Sequence, residues 1–117
     1  MTNTIDQPVL AMEIVTEGSQ ATICLAGEVD VAVAADLAAL GALTASSEAV
    51  EAIVLDMSSV SFIDCAGIGA LIAIRLAARE RFVDVRLRGI TPAVDRVLGL
   101  TGLKPVFATT ADTTERC

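Results

Sequence analysis

The succession of apolar and polar positions along the chain predicts eight elements. Leu10 to Thr16 and Ala21 to Gly27 read as strands, and Glu17-Gly18-Ser19-Gln20 between them is turn material, so the two form a hairpin. In the second strand Ile23 and Leu25 share one face, while Thr22, Cys24 and Ala26 share the other. A turn is expected at Gly27-Glu28-Val29-Asp30, and Asp30 suits the N-cap of a helix over 32–46, striped by Leu37, Leu40 and Leu43. Ala52 to Met57 is a continuous apolar run with one acid near its end. It is too short for an ordinary helix and rich in β-branched residues, which predicts a buried strand. Ser58 to Ile63 reads as a connecting loop. Asp64 then suits the N-cap of a long helix over 65–80. Phe82 to Arg88 is the next strand. Thr91 caps a short helix opened by Pro92 and stopped near Gly102 and Lys104-Pro105. Val106-Phe107-Ala108 is a short edge strand, where a preceding proline is tolerated. The order β-β-α-β-α-β-α-β predicts a single α/β domain over 10–108, a mixed sheet with helices packed against it. Residues 1–9 are expected to be a flexible leader and 109–117 a flexible tail.

Composition narrows the chemistry. The chain has 117 residues, 54% of them hydrophobic, which suits one domain with an ample core. No apolar run free of charge is long enough to span a bilayer, and the first residues lack the basic start of a signal peptide, so a cytoplasmic protein with no membrane partner is expected. With no His, there is no Ser-His-Asp or Cys-His couple and no His-ligated metal. With no Trp or Tyr and a net charge of −7, nucleic acid is not an expected partner. Five arginines between Arg75 and Arg88, against Glu80 and Asp84, make one locally basic stretch, which reads as a solvated helix end and strand. No cofactor, metal or catalytic residue is expected.

The most informative stretch is Val60-Ser61-Phe62-Ile63-Asp64-Cys65-Ala66-Gly67-Ile68-Gly69-Ala70-Leu71. It leads from a buried strand into a helix start of small residues. Helix N-termini carry unpaired amides and a positive dipole end, which suit an anion. Gly67 and Gly69 leave the backbone approachable, including by a partner protein. From Ala66 to Ile74 the helix bears no charge, so apolar side chains surround its circumference. One side must cover the sheet, and the other is either covered or exposed as a patch. The acids Glu28, Asp30, Asp56 and Asp64 fall near the carboxyl ends of strands. A carboxylate cluster there can hold Mg²⁺, but Asp30 and Asp64 read better as caps and Asp56 as an acceptor for loop amides. Cys24, Cys65 and Cys117 have no metal spacing and read as reduced thiols, Cys24 as a small core residue and Cys117 as an exposed terminal one.

Here the chain resembles the STAS domain, and within it the small stand-alone anti-sigma factor antagonists. Three segments carry the resemblance, which spans about residues 10–108: Gly27-Glu28-Val29-Asp30, the run from Val54 to Asp64, and Leu98-Gly99-Leu100-Thr101-Gly102-Leu103-Lys104-Pro105-Val106-Phe107. It implies a STAS-like mixed β-sheet and a protein that is not an enzyme. Such a protein binds an anti-sigma factor, usually a serine kinase of the histidine-kinase-like ATPase fold, and so frees a sigma factor for transcription. The kinase phosphorylates a hydroxyl at the start of the switch helix, and the added charge weakens the complex. The family pattern is Asp-Ser-[Ser/Thr]-Gly, whereas this chain reads Asp64-Cys65-Ala66-Gly67. Ala66 stands at the acceptor position and has no hydroxyl. The usual switch is therefore missing, and the antagonist is expected to be constitutive or controlled otherwise.

The expected partner surface comprises Glu28, Asp30, Ser61, Asp64, Cys65, Ala66, Gly67, Gly69, Ala70 and Ile74. Ser58, Ser59 and Ser61 are candidates for an alternative phosphate acceptor, and nothing in the sequence selects one of them. Cys65 has two readings. A thiolate is favoured in a first helical turn, which suits a redox switch, although Asp64 beside it opposes the charge; alternatively Cys65 packs as a small side chain. A STAS scaffold or ligand-binding module and a redox sensor built on Cys65 are the other functional classes.

Overall fold

A computed structural model gives the fold and describes residues 10–110. The expected leader, 1–9, lies outside the described residues, as does the expected tail beyond 110. The chain runs β1 (Ala11–Glu17), β2 (Gln20–Val29), α1 (Val31–Ala45), β3 (Ala52–Ile63), α2 (Cys65–Arg79), β4 (Asp84–Arg88), α3 (Pro92–Leu100) and β5 (Ala108–Thr110), with a 3-10 turn at Lys104–Val106 before β5. The five strands lie in the sheet in chain order. β1 is antiparallel to β2, and β2, β3, β4 and β5 run side by side in parallel, each crossing made by a helix.

The expected element order holds, and the boundaries differ for physical reasons. β2 does not turn at Gly27; it continues to Val29 because Gly27, Glu28 and Val29 find partners on β3 in Val60, Phe62 and Ile63. Ser58 to Ile63 is therefore strand and not loop. β4 starts at Asp84 and not Phe82, since Phe82 stands in the left-handed region at φ +61. It closes α2: its amide donates to the Arg79 carbonyl at 3.1 Å, and Val83 donates to Ala78 at 2.8 Å. Glycine is the usual residue in that conformation, and here an aromatic ring occupies it with 94% exposure. β5 begins at Ala108, two residues later than expected. Pro105 fits the 3-10 turn, in which Val106 donates to Leu103 at 3.0 Å.

The core is one cluster drawn from every layer. Ile23, Leu25, Ile53, Leu55 and Met57 come from the central strands, Leu37 from α1, Leu71 and Ile74 from α2, Leu87 from β4 and Val94 from α3. α1 and α2 pack on each other. Their contact is close at Gly41, where a Cβ would sit 2.3 Å from the Ile74 side chain. Both faces of β2 are buried, for Thr22 and Cys24 are covered as well as Ile23 and Leu25. Cys24 is disulfide-bonded, which corrects its expected reduced state.

Candidate functional site

The carboxyl ends of β2 and β3 lie side by side, and each strand feeds a helix through an aspartate. Asp30 caps α1 by accepting the Ala32 amide at 3.0 Å. Asp64 caps α2 by accepting the Gly67 amide at 2.9 Å. Short polar side chains suit this position because they satisfy amides that the first helical turn leaves free. Both caps are as the sequence predicts. The two helix starts are also tied together. The Asp64 amide donates to the Val29 carbonyl at 3.2 Å, and the Ser61 hydroxyl donates to the Gly27 carbonyl at 3.3 Å.

Gly67 makes that junction possible. A Cβ there would lie 2.5 Å from the Val29 carbonyl oxygen and 2.7 Å from the Ile63 side chain. The close approach permitted by Gly67 is thus one by the domain's own β2, and not by a partner. Gly69 is the opposite case: it is exposed, with nothing within 4 Å of a built Cβ.

The predicted surface residues fall into two sets. Glu28, Ser61, Cys65 and Gly69 are exposed or partly so, and Asp30, Asp64 and Ala66 are half-buried. These seven gather around the start of α2. Gly67, Ala70 and Ile74 are buried inside the domain, so the expectation that they face a partner is corrected. Ile74 is wholly enclosed because Gly41 leaves room for it on α1. The uncharged circumference of α2 is accordingly divided. Ile68, Leu71, Ile74 and Ala78 face inward, while Cys65, Gly69, Ala73 and Leu76 form an outward line of mostly small residues. The positive charge near the end of α2, Arg79, lies at the other extremity of the helix.

Two apolar side chains that the sequence reading passed over belong to this end of the molecule. Phe62, the register partner of Glu28, is 45% exposed, and Val31, the first residue of α1, is 75% exposed. The signal for Phe62 is its place between the polar Ser61 and the buried Ile63, which marks an outward strand position once β3 is known to continue. Phe62 also borders an apolar groove of about 400 Å³ with Ile63, Pro92, Ala93, Arg96 and Val97, between β3 and the start of α3.

Of the three alternative serines, Ser58 donates its hydroxyl to Asp56 Oδ1 at 2.6 Å, Ser61 is bonded to Gly27 as above, and Ser59 is exposed. Asp56 is buried and takes the Ser58 amide at 2.9 Å on the same oxygen, the loop-amide role expected of it. Burial pushes its carboxyl up, but the Ser58 hydroxyl and amide and then Arg88 outweigh this, and the net direction is down. Among the described residues no group of three or more His, Cys, Asp or Glu is arranged to hold a metal, and no helix is long and apolar enough to cross a membrane. Cys65 is a free, exposed thiol in the first turn of α2.

A model of the STAS domain matches residues 11–117. The fold recurs in solved structures. The crystal structure of an anti-sigma factor antagonist from Mycobacterium paratuberculosis is similar with a TM-score of 0.78 and 21% identity, over 90% of this chain and 88% of that one. The unphosphorylated Bacillus anti-sigma factor antagonist SpoIIAA is similar with a TM-score of 0.72 and 23% identity, over 89% and 90%. A sulfate transporter family protein from Wolinella succinogenes gives 0.68 and 22%, over 80% and 75%. At these identities the likeness is one of fold, and it takes in antagonists and a transporter-family protein alike.

Proposed function

The chain belongs to the STAS-domain family, and on that premise we propose that it is an anti-sigma factor antagonist, which binds an anti-sigma factor and so releases a sigma factor for transcription. STAS domains are non-catalytic regulatory and scaffolding modules, so the function is binding. The observation that carries the reading is the open first turn of α2. Cys65, Ala66 and Gly69 present a low surface there, Phe62 and Val31 stand beside it as apolar anchors, and Glu28, Asp30 and Asp64 border it with negative charge. Apolar anchors inside a polar rim are the usual anatomy of a protein–protein contact. The proposed partner is an anti-sigma factor of the histidine-kinase-like ATPase fold.

Ala66 occupies the proposed acceptor position, and neither it nor Cys65 carries a hydroxyl. A phosphate cannot be placed in that turn, so the complex is constitutive with respect to the usual switch. The thiol of Cys65 is the reactive group that remains there, and its oxidation would add bulk at the contact.

The test is capture of proteins from the host's own lysate, with and without thiol reductant, and then binding of the purified anti-sigma factor. Recovery of an ATPase-fold anti-sigma factor is expected. Ala66→Glu should then weaken binding at least about tenfold, or about 1.4 kcal/mol, by placing negative charge where a phosphate would stand. Equal binding by Ala66→Glu and wild type would remove this surface from the proposal. Recovery by wild type only with reductant, but by Cys65→Ser without it, would make Cys65 the control, since reductant also opens the Cys24 disulfide. No such partner, together with a large homo-oligomer in light scattering, would favour the scaffold reading.

A further inference from the structure

β3 contains more residues than the strand beside it. From Cys24 to Glu28, β2 advances four residues, while the facing stretch of β3 advances six, from Asp56 to Phe62. The register shifts twice along this stretch, between Cys24 and Ala26 and between Gly27 and Glu28. Bulges of this kind bend a strand and re-aim the residues downstream of them, and they need something to hold them. The residues downstream are Ser61 and Phe62 of β3, followed by Asp64 and Cys65 at the start of α2.

The holding group is a buried ion pair. Asp56 and Arg88 are each 4% exposed and face each other as register partners on β3 and β4. Asp56 divides its oxygens: Oδ2 accepts from Arg88 Nη2 at 2.7 Å and Nε at 3.1 Å, while Oδ1 accepts the amide and hydroxyl of Ser58, the residue at the first shift. The exit of β4 closes on the same point. Gly89, at φ +69, packs so near that a Cβ would lie 2.7 Å from the Ser58 Cβ. Thr91, the cap of α3, donates its hydroxyl to the Val60 carbonyl at 3.2 Å. Arg88, Gly89 and Thr91 thus grip the bulged stretch of β3 from a single short connection.

A buried ion pair contributes little net stability compared with an apolar pair of the same size, so its value lies in geometry. We infer that Asp56 and Arg88 are positioning residues of the partner surface: their ion pair fixes the bulge of β3 and thereby sets Phe62, Asp64 and Cys65 against β2 and the start of α1. The word partner rests on the antagonist reading above; the positioning itself does not.

The Asp64 amide is the natural reporter, since its bond to Val29 exists only when the end of β3 is aligned on β2. Its hydrogen exchange is measured in the full-length chain without any partner, for wild type, Asp56→Asn, Arg88→Met and Leu37→Ala. Leu37 is a fully buried residue of α1 away from the ion pair, and serves as a control for general destabilisation. Asp56→Asn and Arg88→Met should speed exchange at Asp64 and Gly67 at least about tenfold more than at Ile23 and Leu25. Leu37→Ala should speed both regions together. Arg88→Lys, which keeps the charge but not the paired geometry, should fall between wild type and Arg88→Met. If Asp56→Asn does not fold, Ser58→Ala removes the hydroxyl bond to Asp56 alone and should give the same pattern in weaker form. Equal acceleration at Asp64 and Ile23 in the ion-pair variants would overturn the inference. A positive exchange result with no anti-sigma binding would leave the positioning role standing and reject only the partner.

Discussion

From Ala52 to Asp56, β3 pairs with both β2 and β4, and the five residues from Ile53 to Met57 are buried; from Ser58 to Ile63 it pairs with β2 alone, and only Val60 and Ile63 are buried. The first half is held by apolar burial on both faces. The second is held by polar bonds at separate points, through Ser58, Val60 and Ser61, and by the Asp64 bond just beyond it. Within one strand, then, the first half is packed and the second is tethered and mostly exposed. Burial and exposure are thus separated along the two halves of β3.

Substitutions in the two halves should therefore read out differently. The largest effect is expected from Leu55→Ala in the packed half, a loss of about 2–5 kcal/mol in denaturant unfolding, since a wholly buried side chain is replaced by a cavity. The junction between the halves should show itself in acid. The folded-state carboxyl of Asp56 lies below its ordinary value of 3.8, so its stabilisation is complete above that pH and is lost as pH falls through the folded value. The stability difference between wild type and Asp56→Asn should accordingly shrink below pH 3.8, by on the order of one charge-assisted hydrogen bond, about 1.5 kcal/mol. A difference that stayed constant down to complete acid unfolding would detach Asp56 from this role. The smallest stability effect is expected from Phe62→Ser in the tethered half, within about 1 kcal/mol of wild type, because the ring keeps 45% of its surface exposed. A loss above about 1 kcal/mol would show that Phe62 is part of the core after all.

Most of the fold was legible from local signals. Asp30, Asp64 and Thr91 each precede a helical pattern at the capping position, and each caps a helix. The second half of β3 was not legible, because strand recognition depends on a two-residue period and its bulges displace that period. After Met57 the inward positions are Val60 and Ile63, three apart, which imitates a loop. Of the residues expected at the candidate surface, the polar ones are exposed or half-buried, whereas Gly67, Ala70 and Ile74 are buried. Ile74 looked like a surface residue of an all-apolar helix, since nothing in the sequence announces that Gly41, on a different helix, leaves room for its side chain. Gly67 carried a true signal of close backbone approach, but the approaching backbone is Val29 of the same chain.

The chain-order arrangement of the sheet has a consequence for the making of the protein. Each parallel strand is added beside the one synthesised just before it, so no strand must wait for a distant partner. Glu28, Asp30, Ser61, Phe62, Cys65 and Gly69 all precede β4, while the edge strand β5 comes last and pairs only with β4. During translation β1, β2 and β3 can pair in order as they emerge, and the bulged stretch of β3 gains its bonds to Arg88 and Thr91 only once β4 and the start of α3 have followed.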